Sequence, residues 1–130
     1  MRKTLLWAAT ALLLLAGCQQ SLEEKAANEA RKFTRENCPS PMGENMIIDS
    51  MTFDASTRTL HYHYRLTGAA DANPQLDGTE ARKALLHDLK NTTAIKSYKD
   101  AGFNFAYTYR SQKDPSRIVF DFKFTAADYR

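Results

Sequence analysis

Hydrophobic positions repeat with two different periods along this chain, and the switches between them mark its elements. From Ser21 onward, Ala26, Ala27, Ala30 and Phe33 recur at helical spacing. Glu23 and Glu24 fall in the first turn and Arg31 and Lys32 come later, as the helix dipole prefers. The helix should stop near Asn37-Cys38-Pro39, because proline restricts the residue before it and cannot continue the hydrogen-bond ladder. Ser40-Pro41-Met42-Gly43 reads as a loop. Period two then takes over: Ile47, Asp49, Met51 and Phe53 share one face, with Ile48, Ser50, Thr52 and Asp54 on the other. Asp49 is a flaw in that apolar face, and incomplete burial at the start of an edge would explain it. After the turn-rich Asp54-Ala55-Ser56-Thr57-Arg58, Leu60, Tyr62, Tyr64 and Leu66 alternate with Thr59, His61, His63 and Arg65. The two runs predict a hairpin with one buried and one wet face.

Gly68 to Gly78 is rich in Gly, Asn, Asp and Pro and reads as a long, exposed loop. Asp77-Gly78-Thr79-Glu80 has capping-box spacing, so a second helix should begin there. Ala81, Ala84, Leu85 and Leu89 carry it, and Lys90-Asn91-Thr92-Thr93 marks a weakening or a break before Ile95. Gly102 fits its stop. A second hairpin follows: Phe103, Phe105, Tyr107 and Tyr109, a turn through Asp114-Pro115, then Ile118, Phe120, Phe122 and Phe124. The order α-β-β-α-β-β predicts an α+β, two-layer fold, a four-stranded antiparallel sheet with two helices packed on its aromatic face. Fully burying a large side chain contributes roughly 1.5 to 3 kcal/mol, so the aromatic face is enough to form a core without disulfides.

The amino-terminal pattern is of another kind. Arg2 and Lys3 precede an apolar run from Leu5 to Ala16, interrupted only by Thr10, which is the layout of a signal peptide. A run of about a dozen residues is too short to cross a hydrocarbon core, which needs roughly 20. Leu15-Ala16-Gly17-Cys18 sets two small residues before a cysteine and resembles the lipobox of bacterial lipoproteins. That resemblance implies removal of residues 1–17, a diacylglycerol on the Cys18 sulfur and an acylated new amino terminus. The mature 18–130 would then be one domain held to a membrane through covalent lipid, at about 0.8 kcal/mol per buried methylene. Gln19 is not the aspartate that resembles an inner-membrane retention signal, so the expected place is the outer membrane, facing the periplasm.

Charge changes the picture once the leader is set aside. Residues 1–17 hold two basic groups, Arg2 and Lys3, and no acidic ones, so the formal charge falls from +3 to +1. A nearly neutral chain with interspersed charges lacks the basic field of a nucleic-acid binder. The chain has two cysteines, and lipidation uses one. Cys38 is left as a packed small hydrophobe, an intermolecular disulfide partner or a reactive thiol, the first being the ordinary role of a free cysteine.

Candidate chemistry is sparse. His61 and His63, two apart on a strand, point from the same face and could both reach one metal ion, but zinc takes three or four ligands. Tyr62, Tyr64, Tyr107 and Tyr109 could stack a ligand, though their alternation is that of a core. There is no GxSxG elbow, phosphate-binding glycine loop or HExxH helix. The expectation is therefore a non-enzymatic protein without a cofactor. Its size, anchor and element order are similar to those of the secretion pilotins, lipoproteins that deliver or stabilise a larger membrane component. The resemblance implies an adaptor for another envelope protein; an inhibitor or immunity-type protein against a periplasmic enzyme or toxin is the alternative. Exposed strand edges, or a groove between helix and sheet, are the expected contact surfaces.

Overall fold

The computed structural model of the protein describes residues 20–72 and 77–130. The leader and Cys18 lie outside them, as does part of the expected loop, 73–76. The chain runs through α1 (Leu22–Asn37), β1 (Ser40–Pro41), β2 (Met46–Asp54) and β3 (Thr59–Leu66). It continues through α2 (Gly68–Ala72), α3 (Gly78–Asn91), α4 (Lys96–Asp100), β4 (Asn104–Ser111), β5 (Ile118–Phe124) and α5 (Ala126–Tyr129). The fold is α+β, and the helices gather on the aromatic face of one five-stranded sheet of order β1-β2-β3-β4-β5.

Two details correct the expectation of four antiparallel strands and two helices. The fifth strand, β1, is a two-residue segment holding Pro41, too short to leave a periodic signal. The pairing of β3 with β4 is parallel, with Tyr62 opposite Tyr107 and Tyr64 opposite Tyr109. A parallel pair needs a crossover rather than a tight turn. The connection from Thr67 to Phe103 supplies it, and its described residues fold into three helices, where one helix, weakening or breaking in two at Lys90-Asn91-Thr92-Thr93, was expected. In that register the tyrosine rings stack on each other, at 5.1 Å for Tyr62 and Tyr107 and 4.8 Å for Tyr64 and Tyr109.

Local signals account for the element ends. The Ser21 side chain accepts from the Glu24 N–H at 3.1 Å, and that of Asp77 from the Glu80 N–H at 2.9 Å, each satisfying an orphan donor of a first turn. Gly102, at φ +78°, ends the α4 turn in the left-handed region that glycine enters without cost. The stretch read as a free loop from Gly68 is tied down at its start. Asp71 in α2 is buried and accepts from the Lys113 N–H at 3.0 Å, on the turn between β4 and β5.

Asp49 is not a flaw at a poorly buried edge. The register of β2 against β3 shifts between Ile48 and Ser50, a β-bulge that inserts Asp49 as an extra residue. Ile48 therefore faces inward, 2% exposed, while Met51 and Phe53 still meet Tyr62 and Leu60. The extra residue turns Asp49 to the polar face. Below the sheet, Ala26 and Ala30 of α1 are almost fully buried, their small side chains letting the helix lie close against β2. Thr34 secures that contact by donating to the Met51 carbonyl at 2.8 Å and accepting from the Met51 N–H at 2.9 Å. Phe103, Phe105 and Phe124 are fully buried at the centre.

Candidate functional site

Among the described residues, two recessed surfaces contrast most in their chemistry, one apolar and one polar. The first is an apolar groove where α3 crosses the end of the sheet. Ala81 and Leu89 anchor the helix, and the small side chain at Ala84 keeps α3 from filling the space beside them. Met46, Leu66, Tyr109 and Phe120 form the floor and Leu85 the wall of an open cavity of about 250 Å³. Among the described residues, Asp88 is the one charged side chain on its rim. The Tyr109 and Phe120 rings meet edge to face, 6.1 Å apart. Burial, with the nearby Asp88 carboxylate, pushes the Tyr109 hydroxyl up to about 12, so it stays neutral.

The second surface is the polar face of the sheet. His61 Nε2 lies 2.7 Å from Thr108 Oγ1, and the Thr108 hydroxyl donates to Asp121 at 2.9 Å. A threonine hydroxyl has one proton, so His61 donates through Nε2 and Thr108 bridges imidazole and carboxylate. His63 Nε2 is 3.1 Å from Thr52 Oγ1, and the two imidazoles stack with centroids 3.9 Å apart. Beyond them Arg65 Nε donates to both oxygens of Asp49, at 2.7 and 2.9 Å. Burial lowers both histidine pKa values; Arg110 lowers both further, and His61 also lowers that of His63, against the pull of Asp121. An open concavity of about 450 Å³ lies beside His61, floored by Ala106 and rimmed by Asp54, Asp121 and Lys123.

The arrangement differs from a nucleophilic triad. There a hydroxyl gives its proton to the imidazole, whereas the buried Thr108 gives its proton to Asp121 and accepts from His61. Both imidazoles already use Nε2 for threonine contacts, and no three His, Cys, Asp or Glu side chains cluster for a metal among the described residues. Cys38 is half-buried against the core, and burial together with Asp49 raises its thiol pKa, which disfavours the thiolate. Sequence reasoning placed His61 and His63 on one face, but not Thr108 and Asp121 beside them. The shared parity of these residues within their three strands was the available signal, and the strand order was not.

Residues 21–120 match a family model described as a domain of unknown function, DUF8479. The chain belongs to that family. No curated protein matches it. Solved structures share the fold at low identity. A Pseudomonas aeruginosa protein described as secreted superposes at a TM-score of 0.67 with 16% identity, covering 86% of this chain and 100% of its own. The pilotin of the Vibrio vulnificus type 2 secretion system gives 0.67 at 16% identity, over 84% of this chain and 92% of its own. The type II secretion pilotin of Vibrio cholerae gives 0.63 at 21% identity, over 88% and 97%. The fold of this DUF8479 chain is thus the one those pilotins use.

Proposed function

We propose that this protein is a lipid-anchored, non-enzymatic adaptor of the cell envelope, and that its groove receives an apolar segment of a larger membrane component. The observation that carries the reading is the groove itself: apolar on floor and wall, open to solvent, and kept unfilled by Ala84. Partner recognition by an apolar stripe in such a groove uses side chains at i, i+3 and i+4 of an amphipathic helix. The likeness to two secretion pilotins supports the same role. Cys18 carries the anchor in this reading, and Gln19 favours the outer membrane, facing the periplasm. No helix among the described residues is long and apolar enough to cross a membrane. Anchoring confines the domain to the surface where its partner sits and raises its effective concentration there.

Crosslinked affinity capture from the native envelope, with a Cys18→Ser form beside the full-length protein, tests the proposal. One membrane protein recovered in near-equal amount by the anchored form, and far less by the other, is the expected result. A soluble enzyme recovered equally by both would favour an inhibitor instead. Recovery of nothing by either would count against both.

A further inference from the structure

The two edges of the sheet are treated differently. On one side β2 is covered first by β1, whose Pro41 offers no N–H, and then by Thr34, which binds both backbone groups of Met51. On the other side β5 is an edge of seven residues, and among the described residues no strand pairs with its outer flank. Its last five residues read Phe120-Asp121-Phe122-Lys123-Phe124. Pairing with β4 turns the three phenylalanines to the helix-covered face and the two charges to the polar face. About Phe122 the aromatic residues repeat and the acid becomes a base, so the segment is complementary to its own reverse.

We propose that two copies of this chain join β5 to β5, antiparallel about a twofold axis at Phe122, making their sheets continuous. Asp121 then stands opposite Lys123 of the partner subunit, and Lys123 opposite Asp121 of the partner subunit. Directly opposed residues must share a face, so the register can shift only in steps that keep side-chain parity. Moving the axis to Asp121 or to Lys123 sets like charges against each other, which destabilises a strand pair. The register at Phe122 matches both charges and sets phenylalanine against phenylalanine. Asp121 and Lys123 are exposed, and Thr108 holds the Asp121 carboxylate in place. The Lys123 carbonyl accepts from Arg82 Nη1 at 3.3 Å, so it points away from β4 and retains a second lone pair. Residues 121 and 123 thus present their backbone groups to the incoming strand. Phe122 becomes the close, non-hydrogen-bonded pair, with Cα atoms roughly 4.5 Å apart.

The test uses the full-length protein in its own membranes, carrying Cys38→Ser. Oxidation of the Phe122→Cys form should give a disulfide-linked dimer, since that spacing lies within the roughly 4.4–6.8 Å a disulfide spans. Val119→Cys, which this register sets opposite Thr125 of the partner subunit, should give none. Adding Asp121→Lys or Lys123→Asp to the Phe122→Cys form should cut the dimer at least tenfold, and adding both should restore it. Sedimentation of the detergent-solubilised protein, with Phe122 and Cys38 retained, reads the same charge series without relying on either cysteine change. No dimer in sedimentation, equal crosslinking at position 119, or single charge reversals without effect would overturn the proposal. So would stronger self-association of Lys123→Ala, which would make Lys123 a guard of the edge rather than a contact.

Discussion

Asp49 and Thr108 show how much a single position can decide. The bulge gives Asp49 to Arg65 rather than to the core, and Thr108 joins His61 to Asp121 across three strands. Thr108→Val keeps the shape of the side chain but removes both hydrogen bonds. It should cost about 1 kcal/mol for the partly exposed groups left behind, read as a lower midpoint in denaturant unfolding at constant m. The stacked imidazoles set a pH dependence. Their folded pKa values lie below the ordinary 6.5, so as pH falls below that value the unfolded chain takes up more protons than the folded one. Stability should therefore fall from pH 7 towards pH 5, and the joint change of His61 and His63 to Asn should flatten that slope. Asp54 and Asp128 act in a lower window. Their pKa values sit below the ordinary 3.8, so their contribution is present above it and is lost as pH falls through the folded values. A slope between pH 7 and 5 unchanged by the histidine substitutions would remove the imidazoles as its source.

At the scale of elements, what the sequence reveals is what local physics decides. Ser21 and Asp77 cap their helices, the phenylalanines and tyrosines of β4 and β5 alternate as a half-buried face, and Asn91 ends α3 before a short α4. All of these depend on residues within one turn or one strand of each other. The parallel pairing of β3 with β4, the bulge at Asp49 and the guard strand β1 depend on where distant segments meet, and no spacing along the chain encodes that. Thr34 belongs with them. Within α1 it reads as an indifferent polar residue, yet it closes the part of the β2 edge that β1 does not reach. Thr34→Val should strand the Met51 N–H and carbonyl together and destabilise by about 1–3 kcal/mol. Thermal unfolding of that variant beside Thr34→Ser, which keeps the hydroxyl and should stay close to the parent, separates the hydrogen bonds from the packing.

For the whole molecule, the division of the sheet into an aromatic face under helices and a polar face with buried hydroxyls leaves the groove beside α3 as an apolar recess open to solvent. The polar groups lie on the opposite face, where His61, Thr108 and Asp121, and Arg65 with Asp49, satisfy one another beside a concavity of their own. That separation lets the recognition proposed for the groove be changed without touching the core. Ala84 is exposed at the groove and lies within a helix, so Ala84→Arg should leave stability within about 0.5 kcal/mol, as surface substitutions usually do. Its long side chain would occupy the recess, and its charge, even paired with Asp88 one turn on, would have to be desolvated where the proposed apolar segment would sit, which costs more than such an ion pair returns. Partner recovery from the envelope should then drop at least tenfold while the protein stays in the membrane fraction, held by the lipid proposed on Cys18. Cys18→Ser should do the reverse, freeing the protein while the groove still binds a peptide of the captured segment. Were Ala84→Arg to recover its partner undiminished, the contact would have to lie elsewhere on the surface, and the polar concavity beside His61 would be the next place to substitute.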